Sequence, residues 1–248
     1  MVGLSIMLLS ACSAHASGPS RRAGAATTGD VGVEAPSTQS PLKLLSSIQH
    51  SDLLTFELQE RDTGSTGPIE GYVSTISLDS KKQVYIVREQ AQACAMLSGG
   101  RARDTTTLRI GPDVYVRDTG AVSGRRWTAN QPPIRLDFLD TFKKTVTRIV
   151  TTGLPNAKEV GVVQRDGRPY RRFVPDAETQ PVLASQYYHH IEFFVGPGSR
   201  LRVEQSEPVE AKDQQYFCGV RATLNTEVLE FSVPDSVKVS RPDATEIK

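Results

Sequence analysis

Apolar and polar residues alternate with a period of two over much of the chain after residue 52, the pattern of strands with one buried face. Thr55-Phe56-Glu57-Leu58-Gln59, Tyr72-Val73-Ser74-Thr75-Ile76-Ser77-Leu78 and Gln83-Val84-Tyr85-Ile86-Val87 follow it, with Gly- or Lys-rich breaks between them. They predict three antiparallel neighbours. Ala93 to Leu97 runs into Ser98-Gly99-Gly100, and Thr105 to Ile110 into Gly111-Pro112-Asp113 before Val114-Tyr115-Val116. A short strand over Gly124 to Thr128, holding the single tryptophan Trp127, is expected to pair with Val114 to Arg117. Further on, Glu159 to Gln164, a turn at Asp166-Gly167 and Pro169 to Val174 repeat the pattern. His190 to Val195, Gly196-Pro197-Gly198 and Leu201 to Gln205 read as a hairpin, and Thr223 to Phe231 as a last long strand.

Two stretches break this rhythm. Leu42, Leu44, Leu45 and Ile48 recur at helical spacing behind Ser40-Pro41 and predict a short helix over Pro41 to Asp52. Leu136 to Thr152 is the long helix. Leu139, Phe142, Val146, Ile149 and Val150 make its apolar stripe, Lys143, Lys144, Thr147 and Arg148 lie between, and Gly153 with Pro155 stops it. The fold class is therefore α+β, mainly β: a curved antiparallel sheet, an incomplete barrel, wrapped around one or two helices. A sheet with so many strands must close or be covered, and the long helix is the obvious cover. The interior is then either a packed core or an apolar cavity, and the five stripe residues are its candidate lining.

The start of the chain is different in kind. Val2 to Ala11 is apolar but too short for a spanning helix, which needs about 20 residues; it has the length of a signal h-region. It ends at Leu9-Ser10-Ala11-Cys12, which reads as a lipoprotein processing site. On that reading residues 1–11 are removed, Cys12 carries the acyl chains, palmitate or similar, and the protein sits on the outer face of the cell membrane. No Lys or Arg precedes the run, so on the lipoprotein reading the true start is expected upstream; the bland alternative is the apolar start of a soluble protein with an ordinary thiol at Cys12. Residues 12–40, rich in Ala, Gly, Ser, Thr and Pro without apolar period, have the composition of a tether, and residues 41–248 form one domain.

Three cysteines are an odd count. With Cys12 acylated, Cys94 and Cys218 remain, either as a disulfide suited to an oxidising compartment or as two buried thiols.

Composition removes several function classes. The net charge is +1, with 29 basic and 28 acidic residues, so no global field calls for nucleic acid. The basic clusters Arg101/Arg103, Arg125/Arg126 and Arg168/Arg171/Arg172 read as solvated strand ends or, in a second reading, as contacts to anionic headgroups. The histidines are His15, His50 and the adjacent pair His189 and His190, which a strand would point to opposite faces; no metal site is expected. No nucleophile motif and no phosphate loop stand in a credible context, and Asp137 and Asp140 are explained by the start of the helix. The chain is expected to be neither an enzyme nor a cofactor binder.

Order and spacing carry a resemblance. The residues that fit are Gly111-Pro112-Asp113-Val114-Tyr115-Val116, then Arg126-Trp127 with the helix after it, Asp166 to Phe173, Phe193 to Arg202 with its glycine turn, and Val228 to Val239. Together with the lipobox and tether, they resemble the LppX and LprAFG-type lipoproteins of mycobacteria, which share the LolA-like fold. The likeness spans roughly Leu42 to Val239. It implies an incomplete antiparallel barrel around helices with a hydrophobic cavity, and an anchored envelope protein that binds or carries a lipid. The alternative from the sequence is an envelope lipoprotein with a packed core that binds or regulates a protein partner.

Overall fold

The structure, a computed structural model, describes residues 35–64, 67–91, 103–118, 126–132, 137–184, 190–209, 216–217 and 220–247. In chain order the strands are β1 (Leu53–Gly64), β2 (Gly67–Asp79), β3 (Val84–Ala91), β4 (Arg103–Ile110), β5 (Asp113–Asp118), β6 (Ala157–Arg165), β7 (Arg168–Pro175), β8 (His190–Gly196), β9 (Arg200–Pro208), β10 (Tyr216–Phe217) and β11 (Val220–Ser232). The helices are α1 (Pro41–His50), α2 (Asp137–Gly153) and α3 (Thr179–Ala184). Ten strands form one curved, unclosed sheet in the order β5-β4-β3-β2-β1-β11-β9-β8-β7-β6, antiparallel throughout, and β10 pairs only with β11. The α+β, mainly β class is as expected.

Two meanders meet where β11 lies against β1, with Phe56 opposite Phe231 and Leu58 opposite Leu229. That pairing joins the first strand to the last, and it leaves β5 and β6 as the two ends of the sheet. The chain must travel from one end strand to the other, and α2 lies on that path. Its 17 residues span about 25 Å, so the connection itself lays the helix across the inner face.

Local signals explain most boundaries. The Ser40 hydroxyl accepts the Lys43 amide at 3.3 Å and Pro41 opens α1. The helix stops at His50, two residues short of the expected Asp52, because Ser51 is extended. Asp166 and Gly167 both have positive φ, +49° and +76°, closing the two-residue β6–β7 hairpin. The six residues of α3, capped by the Asp176 carboxylate on the Thr179 amide at 2.7 Å, were too few to show a helical period. The expected strand over Gly124 to Thr128 is, for its described residues 126–128, only a pair of bridges: Thr128 to Val116, as expected for its partner, and Trp127 to Ile247 in parallel. The segment Ala93 to Leu97 lies outside the described residues.

The main core fills the space between the helices and the inner face. Leu44, Leu45 and Ile48 of α1, Val146, Ile149 and Val150 of α2 and Leu183 of α3 meet alternate residues of seven strands. Each face of the sheet takes every second residue, as the period of two requires. The outer face carries two covers of its own. Residues 233–247 strap over β3 to β5, where Leu108, Tyr115 and Trp127 pack with Ile86, Val239 and Ile247. On the other side the β6–β7 turn folds across the outer face: Asp166 reaches Arg61 on β1 and Arg202 on β9, and Tyr170 reaches Glu230 on β11.

Candidate functional site

The candidate site is the inner wall of the shell and the helices against it. Two successive cross-strand rows have apolar runs: Leu201, Phe231, Phe56, Ile76 and Val87, then Phe193, Val203, Leu229 and Leu58, the second turning polar at Ser74 and Glu89 on β2 and β3. The Phe56 and Phe231 rings lie 4.7 Å apart, so the seam between the two meanders is an aromatic contact. The next row is polar: Gln205, Glu227, Glu60 and Tyr72 follow one another across β9, β11, β1 and β2. The Gln205 amide donates to Glu227 at 3.0 Å, while its carbonyl oxygen, on a side chain 2 % exposed, meets no hydrogen-bond partner among the described residues. The Tyr72 hydroxyl donates to Glu89 at 2.8 Å, and burial together with that carboxylate pushes the phenol well above its ordinary range. The wall thus grades from apolar to polar along the strands.

Of the candidate lining residues, Val146, Ile149 and Val150 point inward from α2, with exposures of 1 %, 0 % and 0 %. The side chains of Leu139 and Phe142 lie outside the described residues, as do Cys12, Cys94 and Cys218. α1 and α2 are joined by the Gln49 amide donating to the Thr147 hydroxyl at 2.9 Å. At the end of α2, Gly153 sits against Phe193 and Leu183, where a Cβ would fall 2.7 Å from the Phe193 ring. The helix end can approach the wall only because no side chain intervenes.

Of the basic clusters, Arg171 and Arg172 are more organised than solvated strand ends, while Arg168 and Arg126 are exposed. Arg171 is paired bidentately with Glu159 on β6 and also donates to the carbonyls of Ser37 and Gln39, at 3.2 Å each, ahead of α1. Arg172 is paired bidentately with Glu192, which also binds the imidazole of His190. Arg202, 2 % exposed, gathers Asp166 at 2.6 Å and Glu204 at 2.8 Å beneath the hairpin. Tyr170 donates to Glu230 at 2.6 Å and Arg200 pairs with the same carboxylate at 3.0 Å. Sequence reading missed Arg202: in Leu201-Arg202-Val203 the alternation places it on the outer face, and only the folding-over of the hairpin buries it. The polar row was missed for a related reason, since Gln205 and Glu227 simply continue the alternation beyond its apolar positions.

These pairs predict a dependence on acid. Burial alone would raise the carboxyl groups of Asp166 and Glu192, but hydrogen bonds from Arg202 and Arg61 to the first, and from Arg172 and His190 to the second, hold both below the usual range. A carboxylate lowered in the folded state contributes stability above its unfolded pKa of about 4, and loses it as pH falls through the folded value. Urea midpoints should therefore hold from neutrality to about pH 5 and fall below about pH 4. Asp166→Asn with Glu192→Gln should lower the neutral midpoint and flatten the acid limb; an equally steep limb would remove these two groups as its cause.

No protein-family model matches the chain and no curated protein matches it, so the resemblance to the LppX and LprAFG group has no support from sequence comparison. Among solved structures, a LolA superfamily protein from Nitrosomonas europaea is 14 % identical, with 86 % of this chain and 99 % of that chain covered and a TM-score of 0.23. A DUF1329 family protein from Desulfovibrio piger is 7 % identical, with coverages of 80 % and 93 % and a TM-score of 0.17.

Proposed function

We propose that this chain is a lipoprotein anchored to the outer face of the cell membrane through Cys12, and that its half-shell binds or carries a lipid or similar amphipathic molecule between the inner wall and α1 and α2. The observation that supports this reading best is the grading of the wall, with aromatic and aliphatic rows ending at the polar row of Gln205, Glu227, Glu60 and Tyr72. An apolar body would lie along the former and a polar end would meet the latter, where Gln205 has a buried acceptor to offer. The helices are held on the wall mainly by apolar packing, which has no fixed directionality and tolerates the sliding that admission of a chain requires. The Leu9-Ser10-Ala11-Cys12 motif and the tether after it support the location. The reading needs neither a catalytic residue nor a cofactor.

The test uses a Cys12→Ser chain expressed in a bacterial host that acylates lipoproteins. It is expected to lack the acyl chains that the N-terminal peptide of the native protein carries and to leave the membrane in a high-salt wash, which screens any electrostatic docking, and organic extraction of the purified protein is expected to yield lipid by mass spectrometry. A native N-terminal peptide without acyl chains on Cys12 would remove the anchor. Absence of co-purified lipid, together with failure to load any, would remove the carrier and favour the protein-interaction reading.

A further inference from the structure

We propose that the β6 end of the shell is a membrane-docking surface, with Val160, Val162 and Leu42 entering the headgroup layer of an anionic bilayer. The proposal rests on the reading of Cys12 as a lipid anchor. Among the described residues, the exposed large hydrophobic side chains are Leu42 at 47 %, Val160 at 54 % and Val162 at 58 %. Scattered apolar residues on a surface carry no meaning by themselves; these three lie on two segments that Arg171 ties together. Val160 and Val162 lie on β6, the last strand of the sheet. Arg171 faces Val162 in the ladder and binds the carbonyls of Ser37 and Gln39, and Leu42 follows Gln39 by three residues. The Ser37 amide also donates to the Gly196 carbonyl at 3.3 Å. The segment arriving from Cys12 is therefore fixed to the sheet next to β6. With about 25 residues between Cys12 and that point, a linker of this Ala-, Gly- and Ser-rich composition would have a mean reach of roughly 25–30 Å, about one domain width, so the anchor itself would keep this end of the shell beside the bilayer.

Charge points the same way. The carboxylates of β6 and its turn are already engaged, Glu159 by Arg171 and Asp166 by Arg61 and Arg202. Lys43, Lys158 and Arg168 are exposed around the same edge, with Asp176, a cap of α3 near Lys158, and the exposed Glu178 after it as acidic groups. The edge thus offers apolar side chains with basic flanks, the composition that favours anionic headgroups.

The backbone decides between a membrane and a second copy pairing through its own β6. Val160 stands outside the register between Glu159 and Gly161, and Gly161 has a φ of +116°. This bulge interrupts the row of backbone groups that an added strand would need, a common way of blunting an edge. It leaves the valine side chains in place, and a headgroup layer requires no register. Docking is shallow, because the free backbone groups of an edge strand must stay hydrated.

The experiment is flotation of the full chain carrying Cys12→Ser with vesicles of equal parts phosphatidylcholine and phosphatidylglycerol at low ionic strength. The chain is expected to float with the vesicles, and less with pure phosphatidylcholine. Val160→Glu/Val162→Glu is expected to weaken binding by at least about tenfold, from lost apolar contact and added like charge, with an unchanged thermal melt, since both positions are exposed. Unchanged flotation of the double variant overturns the proposal by assigning the binding to the apolar residues that precede position 12. No flotation of the parent chain also overturns it, as does a β6-dependent dimer in sedimentation without vesicle binding. Acylation of native Cys12 is read separately from the mass of the N-terminal peptide, so loss of the anchor and loss of the docking surface are told apart.

Discussion

Replacing Arg202 by Ala is expected to destabilise the protein by about 3–5 kcal/mol, the range for breaking a buried ion pair by removing one partner. The guanidinium is 2 % exposed and bonds Asp166 and Glu204, with Glu230 at 3.8 Å. Without it, Glu230 keeps its hydrogen bond from Tyr170 and its pair with Arg200, but lies beside Glu204 with one cation fewer to separate them. The loss is electrostatic more than volumetric, because Arg202→Met, which restores most of the side-chain bulk, still leaves Asp166, Glu204 and Glu230 with one cation fewer, each keeping only its pair with Arg61, Arg165 or Arg200. Both variants should therefore be destabilised, with Met recovering only the packing part. Adding Glu230→Gln and Glu204→Gln to Arg202→Met should recover more than Met alone, since apolar and neutral replacements of a whole buried network cost far less than a fragment of it. Urea denaturation at neutral pH measures all of these. A cost for Arg202→Ala below about 1 kcal/mol, the value of an exposed pair, would mean that the hairpin does not seal the outer face.

The Arg202 cluster also marks where sequence reading reaches its limit. Alternation in Thr55 to Gln59, Tyr72 to Leu78 and Leu201 to Gln205 located strands correctly because each has one face in the core, so burial writes itself into the local pattern. The stripe Val146, Ile149 and Val150 located the covering helix for the same reason. Three features had no local trace. The pairing of β1 with β11 joins segments more than 150 residues apart, and nothing in either strand names its partner. The β6–β7 turn was visible in Asp166-Gly167, but its folding across the outer face is a tertiary event, so the partners of Asp166 were not legible. The polar row at Gln205 and Glu227 has the alternation of any strand end, and its place on the inner wall follows only from register. Of the candidate site, then, the apolar half was readable and the polar half was not.

Gly196 tests the same hairpin from its hinge side, and Gly196→Ala is expected to cost about 1–3 kcal/mol or more, the range for forcing atoms into a packed site. A Cβ there would fall 2.4 Å from one carbon of the Tyr170 ring and 2.8 and 2.9 Å from two others. Tyr170 is 1 % exposed and cannot move freely: its ring stands edge-on to Phe194 with centroids 6.5 Å apart, and its hydroxyl is held by Glu230. A methyl group at 196 must therefore lift the ring, which lengthens the Tyr170 to Glu230 bond and draws the start of β7 off the outer face. The penalty belongs to the contact and not to the glycine backbone, because Gly196 does not adopt a positive φ. A double-mutant cycle isolates it. Tyr170→Leu alone should destabilise by removing the hydrogen bond and ring contacts, but Gly196→Ala added in that background should cost markedly less than in the parent, since the smaller side chain leaves room. Additive effects would show that the ring already has space to retreat, and that the hairpin is held by its ion pairs alone.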